Sequence, residues 1–113
     1  MDKESLTEKL LDLVEGRETP ESWRNWWDEH ETELEALLSR GEFLKLKPCR
    51  HGFQWVPVFG SQKRAIAILE KSGTAFEASN LYQERYLAEL DAFCKEQERV
   101  QREKQKEFKA NNP

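Results

Sequence analysis

The sequence predicts an α+β domain: about four helices, the last one long, packed on a small antiparallel β-hairpin or three-stranded sheet. Three observations carry that expectation. Apolar residues recur at helical spacing in four stretches, the period changes to two just after Gly41, and glycine or proline marks most of the joints. A chain of 113 residues is the size of one domain with one modest core.

The first helix is signalled by Ser5-Leu-Thr-Glu8, a capping box, followed by Leu6, Leu10, Leu13 and Val14 on one stripe and Gly16 as the stop. Thr19-Pro20-Glu21 then supplies an N-cap, a proline at the first helical position and an acid at the positive end of the dipole. This second helix should reach Arg40 and end at Gly41. Its stripe holds Trp23, Trp26, Trp27, Leu34, Leu37 and Leu38, with His30 on the same face, and Asp28, Glu29, Glu31, Glu33 and Glu35 lie opposite. Three tryptophans so spaced read as core filling before ligand stacking.

Residues 43–47, FLKLK, alternate as a half-buried strand does, with Leu44 and Leu46 on one face and Lys45 and Lys47 on the other. Residues 53–56, FQWV, form the second arm, joined by the turn residues Pro48 and Gly52, and Pro57 ends it. A lone hairpin is marginal in water, so it needs a helix against its apolar face or a third strand, for which residues 74–77 are the candidate. A helix over residues 61–71 buries Ala65, Ile66, Ile68 and Leu69 before Gly73 closes it. The last helix starts at Asn80, whose cap pattern ends at Gln83, and its stripe is Tyr82, Tyr86, Leu87, Leu90, Phe93 and Cys94. Beyond Cys94 the stripe fails, so residues 1–94 form the globular domain and residues 95–113 a solvated helical extension that frays, with Glu98 and Arg102 at supportive spacing.

Charge is distributed unevenly. Residues 1–41 carry 12 acids and 5 bases, whereas residues 42–67 carry 1 acid and 5 bases, in a chain of net charge −4. No apolar run reaches the roughly 20 residues of a membrane span, and the start lacks a secretory signal, so the expected setting is the cytoplasm with no membrane partner. Two cysteines in that setting are read as reduced thiols.

Four arrangements could carry chemistry. His30, Cys49, His51 and Cys94 match a zinc set by number but not by spacing, so no metal or cofactor is expected. Cys49 and His51 could pair as nucleophile and base, with Arg50 favouring a thiolate, yet residues 43–69 hold no carboxylate to orient the imidazole. Gly60-Ser61 before a helix start, with Lys63 and Arg64 in its first turn, resembles an anion site but lacks the P-loop glycine spacing. The basic, aromatic-bearing segment against acidic helices fits a protein interface steered by charge.

No catalytic constellation emerges, so the expected class is a non-enzymatic protein-interaction module binding another protein by charge complementarity. Inhibitor and immunity-type proteins offer an analogy of size and charge. The alternative is nucleic-acid or phosphate binding. The candidate binding residues for either are Lys45, Lys47, Arg50, His51, Phe53, Trp55, Lys63 and Arg64. Self-association through the last helix is a further expectation left open by the sequence.

Overall fold

The computed structural model describes residues 1–48 and 53–111, with side chains through Lys104. Its regular structure is five helices: α1 (Lys3–Val14), α2 (Pro20–Leu37), α3 (Arg40–Leu46), α4 (Trp55–Ser72) and α5 (Leu81–Asn111). The expected α+β architecture is therefore overturned, since there is no strand among the described residues.

The correction has a local physical cause. In FLKLK, Phe43 and Leu46 sit at i and i+3 as well as within an alternating pattern, and the helix buries these two while leaving Leu44 58% exposed. The expected strand would have buried Leu44 with Leu46. Ser39 decides between them: its side chain accepts from the Glu42 amide at 3.2 Å, starting α3 where one continuous second helix was expected. Gly41 lies inside α3 and is no stop.

The second arm fails similarly. Residues 55–56 begin α4, and Pro57 occupies its first turn, where a missing amide leaves no intrahelical bond unmade. Residues 74–77 have no regular structure, so no third strand forms. The turn proposed around Cys49, Arg50, His51 and Gly52 lies outside the described residues.

Helix ends agree better with sequence logic. Thr19 caps α2 in a reciprocal box with Ser22: each side chain accepts the other's amide, at 3.0 and 2.9 Å. For α1 the cap is Asp2, one turn earlier than the Ser5 box, accepting from the Ser5 amide at 2.8 Å. That hydrogen bond holds the Asp2 carboxyl below its ordinary pKa. Gly16 follows α1 with φ +83, and a Cβ there would lie 2.7 Å from the Ser79 hydroxyl, so only glycine admits this close approach.

α4 is the central element and touches all four other helices. Its inner face carries Val58, Ala65 and Leu69, together with two buried polar residues that serve neighbouring helix ends. The Ser61 hydroxyl donates to Leu46 O at 2.7 Å, and the Gln62 amide donates to Val14 O and Ser79 O at 2.8 and 3.0 Å. Carbonyls left without intrahelical partners at the ends of α1 and α3 are thus satisfied in the interior. Around α4 pack Leu6, Leu10, Leu13 and Val14 of α1, Trp23, Trp27 and Leu34 of α2, and Phe43 and Leu46 of α3.

Among its described side chains α5 contributes only Tyr82 to the fully buried core. Leu87, Phe93 and Cys94, expected on the core stripe, are exposed. The Tyr82 hydroxyl donates to Glu18 O at 2.7 Å and accepts from Glu18 N at 2.9 Å, fastening α5 to the start of α2. Tyr82→Phe leaves both backbone groups unpaired, and a loss of about 1–3 kcal/mol in denaturant unfolding is expected. Burial raises the Tyr82 pKa from 10.0 to about 12. A raised acid pKa in the fold means stability fully present below pH 10 and lost as pH rises toward about 12, so alkaline titration should show this tyrosinate forming late and with unfolding. Ionisation of Tyr82 near its ordinary value in the folded protein would contradict that.

Past Cys94, α5 continues to Asn111 as part of a molecule 68 × 28 × 21 Å in extent. Ion pairs Lys95–Asp91, Arg99–Glu96 and Arg99–Glu103 support it at i, i+3 and i, i+4 spacing.

Candidate functional site

The bases that the sequence groups together separate into two sets once the segment is helical. Lys45 on α3 faces Lys63 and Arg64 on α4 across a shallow groove of about 260 Å³, with Gly60 and Ala67 completing its lining. Gly60, Lys63, Arg64 and Ala67 fall at i, i+3, i+4 and i+7 of α4, one helical face. The Ser61–Leu46 hydrogen bond joins the two walls directly beneath, so the groove is held by the rigid α3–α4 contact.

Among the described residues, charge in this groove is uncompensated. No described carboxylate pairs with Lys45, Lys63 or Arg64, although the chain holds 22 acids against 18 bases. The ammonium of Lys63 rests 4.5 Å from the centre of the Phe59 ring, which orients it without neutralising it. Lys45 and Lys63 are exposed and Arg64 is half-buried.

The other candidates go elsewhere. Lys47 pairs with Glu31 of α2 at 2.6 Å and lies over the Phe43 ring, so its charge is spent within the fold. Phe53 packs edge-on against Phe93 with centroids 5.2 Å apart. Trp55 packs against Tyr82 at 6.0 Å, with the Arg85 guanidinium over its ring. Both aromatics hold α5 in place and neither borders the groove. Arg50 and His51 lie outside the described residues.

Helical structure also removes the expected amide cradle at Gly60-Ser61. These residues sit past the first turn of α4, where amides are used inside the helix. The free amides belong to Gln54, Trp55 and Val56, and Glu89 of α5 already accepts all three at 2.9, 3.0 and 3.1 Å. That carboxylate is the cap α4 lacks locally, because Gln54 provides no side-chain bond. Glu89 was not legible as a partner in the sequence, since more than thirty residues separate it from the amides it caps.

Nδ1 of His30 donates to Trp26 O at 2.9 Å, its ring lies 5.2 Å from that of Trp26, and Cys94 is exposed on α5. Cys49 and His51 fall outside the described residues. Among the described residues no group of three or more His, Cys, Asp or Glu is placed to hold a metal ion. No described helix is long and apolar enough to cross a membrane.

A larger depression of about 780 Å³ lies between the first half of α2 and Phe53–Gln54. Glu21, Arg24 and Asp28 line it with mixed charge, and it presents no common sign to a ligand. The α3–α4 groove is smaller but chemically single-minded, and this marks it as the candidate site. In comparison with known proteins, no family model, no curated protein and no solved structure matches this chain, so its site rests on geometry and charge.

Proposed function

We propose that the chain is a non-enzymatic, cytoplasmic protein-interaction module whose α3–α4 groove takes an acidic segment of another protein. The observation that carries this reading is the convergence of Lys45, Lys63 and Arg64, none of them paired with a described carboxylate. In a chain of net charge −4, leaving three cations together unneutralised favours a partner that supplies the missing carboxylates.

Exposed ion pairs contribute only about 0.2–1 kcal/mol each, so the groove supports selectivity and rapid encounter more than tight binding. A protein partner is favoured over nucleic acid for two reasons. The amides that would cradle a phosphate are engaged, and a chain with 22 acids against 18 bases opposes a long polyanion. Action as an inhibitor or immunity-type partner is one form such a module takes, by analogy of size and charge.

The test is affinity capture from native cells with the wild-type chain and with the Lys45→Glu/Lys63→Glu/Arg64→Glu variant. The expected result is one protein retained in fixed ratio by wild type, released by salt, and lost with the variant. Retention of the same protein by both chains would contradict the reading, and salt-sensitive retention of nucleic acid instead would favour the other ligand class.

A further inference from the structure

Gly60 lies in the second turn of an 18-residue helix, a position where glycine is the poorest choice short of proline. Nothing inside the fold asks for it. Its φ is not positive, and a Cβ built there meets no atom within 4 Å. Gly41 shares that open space but sits in the first turn of the short α3, away from the cationic lining, so the two glycines form a natural contrast.

The outward side of Gly60 is the groove floor. Along this face of α4 run Gly60, Arg64, Ala67 and Lys71, at i, i+4, i+7 and i+11: small residues alternate with cations, and Gly60, Ala67 and Lys71 are exposed. Lys71, like Arg64, pairs with no described carboxylate. Arg64 and Lys71 are separated by two helical turns, about 10 Å of rise. Small residues at a helix contact let the partner axis approach toward the short end of the roughly 8–10 Å range.

We propose that the occupant of the groove is an acidic α-helix of a partner protein, laid along α4, and that Gly60 is the residue that sets its closeness of approach. The inference rests on the reading of the groove as an acidic-segment site and adds the shape of the ligand and its specificity-determining contact. Carboxylates two turns apart on the partner helix meet Arg64 and Lys71, while Lys45 and Lys63 flank it from the two walls. An extended acidic chain gains nothing from the missing Cβ, because it need not seat a cylinder on the helix backbone.

The test uses two fluorescent probes of equal charge: a stapled helical peptide with glutamates two turns apart, and an unstapled peptide of the same composition interrupted by glycines. Binding is measured with the full chain and with Gly60→Ala, Gly60→Leu and Gly41→Ala. The helical probe should bind wild type more tightly than the extended one, and Gly60→Leu should weaken it on the order of tenfold or more, as misplaced methylenes do in a fitted site. Gly60→Ala should raise the melting temperature by roughly 3–6 °C while weakening the helical probe, and Gly41→Ala should leave binding unchanged.

Equal affinity for both probes, or a Gly60→Leu variant that binds as wild type does, overturns this inference alone, provided Lys63→Glu/Arg64→Glu still abolishes binding. Binding of neither probe at low salt, or of an oligothymidylate in their place, overturns both the inference and the groove reading beneath it.

Discussion

Trp27→Ala is expected to remove about 3–5 kcal/mol of stability, the range for deleting a buried indole. Trp27 is 1% exposed and lies between Trp23 and Phe43, with ring centroids 6.0 and 5.3 Å away. The cavity would open where α2, α3 and α4 meet, and rigid helices close around such a hole only in part. A domain of this size holds about 5–15 kcal/mol in all, so the variant approaches the edge of folding. Trp27→Phe should cost much less, because Nε1 of Trp27 has no hydrogen-bond partner in the described structure and no such bond is lost with it. Urea unfolding followed by circular dichroism measures both. An unchanged midpoint in Trp27→Ala would show that the indole is not the keystone of these three helices.

Glu89→Ala should destabilise the fold by about 2 kcal/mol, more than an ordinary surface substitution and near the upper range of a lost N-cap. One carboxylate accepts from three consecutive amides at the start of α4, so its removal leaves all three without a partner and loses the anion at the positive end of the helix. Because the acceptor belongs to α5, the same substitution should loosen the docking of that helix, leaving it to contacts such as those of Tyr82, Tyr86 and Phe93. Hydrogen exchange at the first turn of α4 and proteolysis within α5 should both accelerate. Glu89→Gln keeps the shape without the charge and should lie between. Exchange rates in Glu89→Ala equal to wild type would show that α4 needs no cap from α5.

Much of the helical content was legible because it depends on local signals. Thr19, Gly16 and Gly73 mark ends through side-chain or φ constraints that a short window contains, and the α1 and α2 stripes identify Leu10, Leu13, Trp23 and Trp27 as core. The hairpin was misread because seven residues are too few to separate a period of two from one of 3.6: Phe43 and Leu46 satisfy the helix while Leu44 and Leu46 satisfy the strand. Ser39 is the available signal, but the apolar stripe of α2 continues through Leu37 and Leu38 and points on toward Gly41. Pro57 looked like a strand terminator and is a first-turn residue of α4.

For the candidate site, composition marked a segment but not which of its members the fold brings together. An excess of cations over residues 42–67 was visible, yet which of them converge depends on helix faces and on distant acids. Glu31 takes Lys47 into an ion pair from sixteen residues away, and α5 claims Phe53 and Trp55. Gly60 read as the residue before a helix, and it becomes a groove floor only once α4 is known to start at Trp55.

The central claim is that the α3–α4 groove is where an acidic protein segment binds. Titrating the isotope-labelled chain with an acidic peptide and following amide shifts by NMR tests it most directly. The account predicts shifts at low salt confined to the amides around Lys45, Gly60, Lys63, Arg64 and Ala67, fading as salt screens the contact. Shifts centred on α5 or on the α2 depression, or none at low salt, would contradict it.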